Sequence, residues 1–246
     1  MEPTANSGGS SPAFGGLRTQ REILMLQRVP DAFRPYALVY TFVSDHVRMQ
    51  FEDVGAMLRL PMQAHGLTNG CNFASTSVIC NLLGGVSVTV FQPAVTQRPD
   101  RHGRMQTIGS GEAFREFVKA FYPDPSPQRR SEAADVLYRY LRNPFAHALG
   151  VLGKGGLRLK VTKVTPPNAA TKGDGLSQAE VAAIEESPQR PGAMPLGVHG
   201  SGNQWEITVD FLYRDALDMM VALAQDAHQM QQAEARFQQG AYVWRS

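Results

Sequence analysis

Two long segments in which apolar residues recur at helical spacing, one near each end of the chain, most constrain its fold. Within residues 36–60 and 213–238, apolar side chains return every three or four positions, as they do on the buried face of an amphipathic helix. We therefore predict a mainly α-helical protein that ends in one long C-terminal helix. The residues that form the two patterns are Leu38, Val39, Phe42, Val43, Val54, Leu58, Ala216, Met219, Met220, Leu223, Ala227 and Met230.

The stretch between Arg59 and Arg98 contains no Lys, Arg, Asp or Glu. Asn and Ser residues break its apolar run and a glycine pair divides it, so it falls short of the ~20 apolar residues that a membrane span needs. We therefore predict that residues 71–83 form a buried helix or part of a subunit interface, and that they do not span a membrane. Beyond the glycine pair, valines alternate with Ser and Thr, so residues 86–90 fit a strand as well as a helix.

Further helices are predicted over residues 18–29 and 112–121, and from Ser126 onward. Ser126 followed by Pro127 combines a preferred N-cap residue with a proline at the first helical position. Residues 92–111, which contain several Pro, Gly and Arg residues, predict a basic exposed loop. The helix after Ser126 is expected to bury the stripe Ala133, Val136, Leu137, Tyr140 and Leu141.

A small β-element is predicted late in the chain. Residues 157–164 and 204–211 each alternate apolar and polar side chains, which indicates half-exposed strands. We expect the two to pair as an antiparallel ribbon. Between them, residues 165–203 are dominated by Pro, Gly, Ala and polar side chains and predict a long mobile excursion.

The composition predicts one domain after a short tail. Residues 1–16 are rich in Ser, Gly and Pro and lack the pattern of a secretory signal, so we expect a flexible tail on a cytoplasmic protein. Residues 17–246 carry enough apolar material for one core, with the ribbon and its loop inserted at about 155–211.

Cys71 and Cys80, nine positions apart, fit neither a disulfide framework nor a zinc site and are predicted to be buried thiols. No metal or cofactor is predicted, and the net charge of +2 requires any nucleic-acid contact to be local.

The segment from Arg142 to His147 carries the residues from which a function is predicted. Asn143 and Pro144 follow the arginine, and His147 comes five positions after it. Asn143 and Pro144 repeat the N-cap and first-position pattern, so a short helix should begin there and end near Leu149. His147 would then lie one turn into that helix and Arg142 just outside its N-terminus. Free backbone N–H groups and a guanidinium at such a place favour a phosphate.

RNA cleavage needs little beyond such a phosphate cradle. The 2′-hydroxyl of RNA can attack the adjacent phosphorus when a base accepts its proton and an acid protonates the leaving 5′-oxygen. His147 can exchange protons near neutral pH, and Arg142 can stabilise the developing charge. This chemistry requires no metal, and DNA should resist it because it lacks the hydroxyl.

The motif resembles that of the HEPN superfamily, in which an Arg, a polar residue such as Asn, and a His a few positions later form the site. The weaker resemblance to a helical bundle covers about residues 18–153. It implies a mainly α HEPN-like bundle acting as a metal-independent endoribonuclease, with a composite site at a homodimer interface. Arg142 and His147 would be catalytic, and Asn143 would orient the backbone or its partners.

The resemblance also bears on regulation. It implies a toxin or a phage-defence protein as possible settings, with an inhibitory partner that the sequence does not identify. Members silenced by nucleotide transfer carry a Tyr two residues after the His, and Leu149 occupies that position here. The residue therefore argues against that form of control.

Two other interpretations of the motif stay open. The same pocket would hold RNA or a nucleotide without cutting it if the chain were a binding module. Alternatively, Arg142 would cap the preceding helix with His147 packed beneath it, in a purely structural domain.

The remaining histidines have no metal-ligand spacing, and the sequence of residues 153–156 indicates a turn rather than a phosphate loop. Candidate RNA-binding side chains, with solvated surface charge as the alternative, are Arg98, Arg101, Arg104, Arg129, Arg130 and Arg139.

Overall fold

The structure, a computed structural model, describes residues 29–58, 72–143, 158–162 and 196–240. This part of the chain is mainly helical, with a small amount of sheet. None of its helices has the length and apolarity needed to cross a membrane. Its helices are α1 (Ala37–Phe42), α2 (Arg48–Leu58), α3 (Asn72–Thr89), α4 (Ser110–Phe121), α5 (Pro127–Val136), α6 (Val209–Gln225) and α7 (Ala227–Gln238), with π-helical turns π1 (Val43–Val47) and π2 (Leu137–Arg142). Its strands are β1 (Gln97–Pro99), β2 (Met105–Thr107), β3 (Arg158–Thr162), β4 (Val198–Ser201) and β5 (Gln204–Thr208).

The first predicted helix is confirmed over its described part, where α1, π1 and α2 form one continuous helix. Its predicted apolar positions are buried, except Leu38, whose side chain is 40% exposed. The π turn was not predicted, because an extra residue in one turn leaves no clear mark on the apolar spacing. The predicted helix over residues 18–29 lies outside the described residues apart from Val29.

Helix α3 occupies the centre of the bundle, in contact with α2, α4, α6 and π2. It runs through the glycine pair, so the strand interpretation of residues 86–90 is wrong. The hydroxyls of Thr76 and Ser87 donate to the carbonyls of Asn72 and Gly84, both at 2.7 Å, which satisfies these polar groups inside the helix. Its exposed face, which includes Phe73, Ala74 and Val88, is itself largely apolar, and this explains why its sequence shows no helical period.

The larger sheet has the order β3–β5–β4 and is mixed. Strand β5 pairs antiparallel with β4 and parallel with β3, in the register Leu159 to Trp205 and Val161 to Ile207. The predicted antiparallel pairing of residues 157–164 with 204–211 is therefore wrong. The strand that pairs antiparallel with β5 is β4, which lies in the segment predicted to be a mobile loop. A turn that contains Gly202 at φ +55° joins β4 to β5. The rest of that segment, except Leu196 onward, lies outside the described residues.

The predicted long C-terminal helix is divided at Asp226. Its backbone is extended (φ −81°, ψ 90°), and its carboxylate accepts the N–H of Gln229 at 3.0 Å, so it ends α6 and caps α7. The methionine pair Met219 and Met220 is fully buried, as expected of core residues. Helix α7 returns to the start of the fold, where the Glu234 carboxylate accepts the backbone N–H groups of α1 at 3.1 Å.

A buried polar link joins β4 to the helices. The hydroxyl of Tyr122, at the end of α4, donates to the Asp215 carboxylate of α6 at 2.8 Å and accepts the N–H of Val198 at 3.0 Å. The same carboxylate oxygen accepts the N–H of Gly197 at 2.6 Å. A methyl group on Gly197 would lie 2.3 Å from the backbone nitrogen of Leu212, so only glycine permits this close approach. The sheet is thereby fixed to the bundle that carries the motif.

Candidate functional site

Arg142 is the last residue of π2, in the helix that begins at Pro127. The predicted start is confirmed: the Ser126 hydroxyl accepts the N–H of Arg129 at 3.4 Å and Pro127 is the first helical residue. The predicted stripe is buried except for Tyr140, which is half-buried. Because π2 has one residue more per turn than an α-helix, it changes the direction in which Arg142 projects. π-helical turns occur frequently at functional sites.

The Arg142 guanidinium lies against α3 and α4. Its Nη2 donates to the Ser110 hydroxyl at 3.3 Å, and a methyl group on Gly84 would be 3.6 Å from its Nε. Its central carbon is 6.0 Å from the ring centre of Tyr138, one turn earlier. Within the described parts of the chain, Arg142 makes no ion pair with a carboxylate. Among the described residues, its hydrogen-bond partner is thus a neutral hydroxyl.

The partner Ser110 is the first residue of α4. The preceding Gly109 has an extended backbone and offers no side chain to cap the helix, while its carbonyl accepts the N–H of Glu112 at 3.0 Å. The partial positive charge of this helix end and the Arg142 guanidinium lie at the same place. An anion such as a phosphate would be stabilised by both.

Tyr138 separates this site from a charged network. The guanidinium carbon of Arg115 lies 5.1 Å from the centre of the Tyr138 ring. The same Arg115 guanidinium pairs with Glu112 and, at 3.5 Å, with Asp135. A methyl group on Gly111 would lie 2.1 Å from the tyrosine hydroxyl, so the ring rests directly on that glycine. Neither Ser110 nor the two glycines were predicted from the sequence. Tyr138 could have been, because residues four apart on a helix are neighbours.

The N-cap predicted at Asn143 is wrong. Its backbone is helical (φ −69°, ψ −47°), whereas an N-cap residue is extended. Helical backbone therefore continues from Pro127 through Asn143, and Arg142 lies within this helix rather than before the start of a new one. His147, like Pro144 and Leu149, lies outside the described residues, as does the 153–156 segment.

Two of the candidate RNA-binding arginines have structural partners. Arg129 pairs with Glu132 at 3.2 Å, donates to the carbonyl of Gly200 at 2.7 Å and lies 5.8 Å from the ring of Trp205. It therefore connects α5 to the sheet. Arg130 donates to the carbonyl of Asp124 at 3.4 Å, beneath the start of α5.

The other candidate arginines are on the surface. Arg139 lies 3.7 Å from Asp135, with 58% of its side chain exposed. Arg98 pairs with Glu112 at 2.6 Å, while Arg101 and Arg104 lie in the turn between β1 and β2. The predicted basic loop thus contains a hairpin.

Cys80 lies on α3 one turn before Gly84 and is fully buried, as predicted; Cys71 is outside the described residues. Burial raises the pKa of the Cys80 thiol to about 12, against the opposing charge of Arg142. The thiol is therefore protonated at neutral pH and is not a nucleophile. The described residues contain no group of His, Cys, Asp and Glu able to hold a metal ion.

No protein-family model, curated protein or solved structure matches this chain. What the candidate site can bind therefore follows from its own residues. Its described core consists of Arg142, Ser110, the start of α4, Tyr138 and the glycine surface of α3.

Proposed function

We propose that this protein is a HEPN-type, metal-independent endoribonuclease in which Arg142 binds the scissile phosphate and His147 exchanges protons. One observation carries the proposal: the Arg142 guanidinium lies at the start of α4, held by the Ser110 hydroxyl and without a carboxylate among the described residues. Arg115, by contrast, is paired with Glu112 and Asp135.

The proposed reaction uses RNA's own nucleophile. The 2′-oxygen attacks phosphorus while His147 accepts its proton, and the bond from phosphorus to the 5′-oxygen breaks. An acid returns a proton to the 5′-oxygen, and the products are a 2′,3′-cyclic phosphate and a 5′-hydroxyl. Arg142 and the N–H groups of α4 stabilise the negative charge on the non-bridging oxygens.

A homodimer completes the proposal. Base and acid are required on opposite sides of the phosphorus, and one His147 supplies one of them. The second is His147 of the partner subunit, across a two-fold axis. Asn143 is then a positioning residue at the junction of Arg142 with the following segment.

The test is cleavage of a labelled RNA in excess EDTA. The wild type should produce fragments ending in 2′,3′-cyclic phosphate, and a substrate with a 2′-deoxy residue at the cut should remain intact there. His147→Ala and Arg142→Ala should each abolish cleavage. Arg142→Lys should retain little activity, because an ammonium lacks the planar pair of donors.

Arg48→Ala is the matched control, since Arg48 is a half-exposed arginine that pairs with Glu52 away from the motif. It should cleave like the wild type. Intact RNA with the wild type would refute the enzyme, and RNA binding that depends on Arg142 without any cleavage would show a binding module instead. Unchanged cleavage by Arg142→Ala would refute the site.

A further inference from the structure

The hairpin β1–β2 is a fully exposed ribbon. Gln97 pairs with Thr107 and Pro99 with Met105, and all six strand residues are exposed. The side chain of Met105 is 60% exposed. Two strands without a buried face are marginally stable by themselves. The ribbon therefore depends on its turn and on its attachment to the bundle.

The turn is fixed by Asp100. Its backbone N–H donates to the carbonyl of Arg104 at 2.8 Å, and Gly103 at φ +75° closes the loop. One carboxylate oxygen accepts the N–H groups of His102 and Arg104, at 2.7 and 2.9 Å, and the other accepts from Gln106 at 3.3 Å. Because this carboxylate is bound to the turn itself, it forms no ion pair with the neighbouring arginines.

The base of the ribbon is attached to α4. Arg98 pairs with Glu112 at 2.6 Å and with Glu116 at 3.5 Å. Strand β2 ends at Thr107, and α4 begins three residues later at Ser110, the partner of Arg142. The ribbon therefore extends from the same helix end that forms the candidate phosphate site.

The tip carries positive charge without described acidic partners. Arg101 and Arg104 are exposed and pair with no carboxylate in the described parts of the chain. The Arg101 Nε donates to the His102 Nε2 at 3.0 Å, which orients one guanidinium. Two planar cations on a hydrogen-bonded, solvent-exposed turn are complementary to phosphates of a nucleic-acid backbone.

We propose that the tip of this hairpin binds the RNA strand beside the scissile phosphate, through Arg101 and Arg104. This inference rests on the proposed function for its ligand, and it adds a second contact that lengthens the bound segment of RNA. Arg98 holds the ribbon in place and does not contact RNA. Of the six arginines considered from the sequence, the hairpin thus distinguishes two that bind substrate.

The test measures binding separately from cleavage. A fluorescent, single-stranded 2′-O-methyl RNA of about 16 nucleotides, which has no free nucleophile, is titrated with full-length protein while anisotropy is followed at several salt concentrations. Replacing both tip arginines, as Arg101→Gln with Arg104→Gln, removes two phosphate contacts. The slope of log affinity against log salt should fall by about 1.4, and affinity at roughly 0.1 M salt should fall about 25-fold.

The matched control is Arg34→Gln with Arg48→Gln, which removes the same charge from exposed arginines of the first helical region. It should keep the wild-type slope. Equal slopes and affinities for the tip variant and the control would overturn the inference. Failure of the enzyme proposal looks different: the wild type would bind through the tip but leave cleavable RNA intact.

Discussion

Replacing Tyr122 by phenylalanine tests the link between the sheet and the bundle. The ring remains in a site that is 97% buried, since only 3% of the residue is exposed, so packing is kept and only the hydroxyl is lost. Two hydrogen bonds disappear: one to the Asp215 carboxylate at 2.8 Å and one from the N–H of Val198 at 3.0 Å. Val198 is itself buried, so its N–H has no water to replace the tyrosine.

These contacts set the size of the expected loss in the free energy of unfolding. A buried hydrogen bond contributes about 1 kcal/mol, and a buried N–H left without an acceptor costs about 1–3 kcal/mol. Tyr122→Phe should therefore lower the free energy of unfolding by about 3 kcal/mol. For a chain of this size the corresponding fall in Tm is roughly 6–12 °C.

Differential scanning calorimetry measures the change, and hydrogen exchange locates it. The amides of Gly197 and Val198 should exchange faster in the variant, because both lose order when the link is broken. Tyr40→Phe is the control, since the half-buried Tyr40 hydroxyl bonds to no described residue. If Tyr122→Phe lowered Tm no more than Tyr40→Phe, the buried link would contribute nothing and the reasoning would be refuted.

Three further predictions concern single side chains. Gly84→Ala should raise the free energy of unfolding by about 0.5–1 kcal/mol, because the added methyl group would meet Arg142 at an ordinary 3.6 Å. Gly84→Leu should displace the Arg142 guanidinium and lower RNA cleavage at least about tenfold. Equal cleavage rates for the leucine variant and the wild type would contradict this. Hydrogen bonds from Thr162 and Lys160 lower the pKa of Glu206 below its ordinary 4.5. The contribution of the ionised Glu206 to the stability of the folded state is therefore present above pH 4.5 and is lost as the pH falls through the lowered pKa. Glu206→Gln should accordingly lower Tm slightly at about pH 7, by less than about 1 kcal/mol in stability, and by less as the pH falls through the lowered pKa, in paired thermal melts. In a Cys71→Ser background, burial and the raised pKa should leave Cys80 unreactive toward a thiol reagent at about pH 8 until denaturant is added; rapid labelling of the folded protein would contradict its buried position.

Local signals in the sequence predicted much of the helical fold. Ser126 and Pro127 mark a helix start that depends only on adjacent residues, and the period of residues 36–60 survives because one face of that helix is exposed. Strand pairing was not predictable in the same way. The alternating pattern marks each strand but not its direction: β3 and β4 lie on opposite edges of β5, one parallel and one antiparallel to it.

The site was predicted by residue type more than by geometry. Arg142 was identified from its spacing to His147, but its contacts with Ser110 and Gly84 come from helices α4 and α3 far from it in sequence. The error at Asn143 has a local cause: Asn before Pro is a common helix start, and here the helical backbone reaches it from the preceding element. Tertiary packing of π2 against α3 outweighs that local preference.

The extra residue in π2 has an evolutionary consequence. Closing π2 into a regular α-helix with its sequence unchanged would rotate Arg142 by about 100°. Arg142 would then leave Ser110 and Gly84, although every residue of the site were still present. Among descendants of this chain, the length of this one turn would therefore separate copies that keep the site from copies that have lost it, even where the Arg and His themselves are retained.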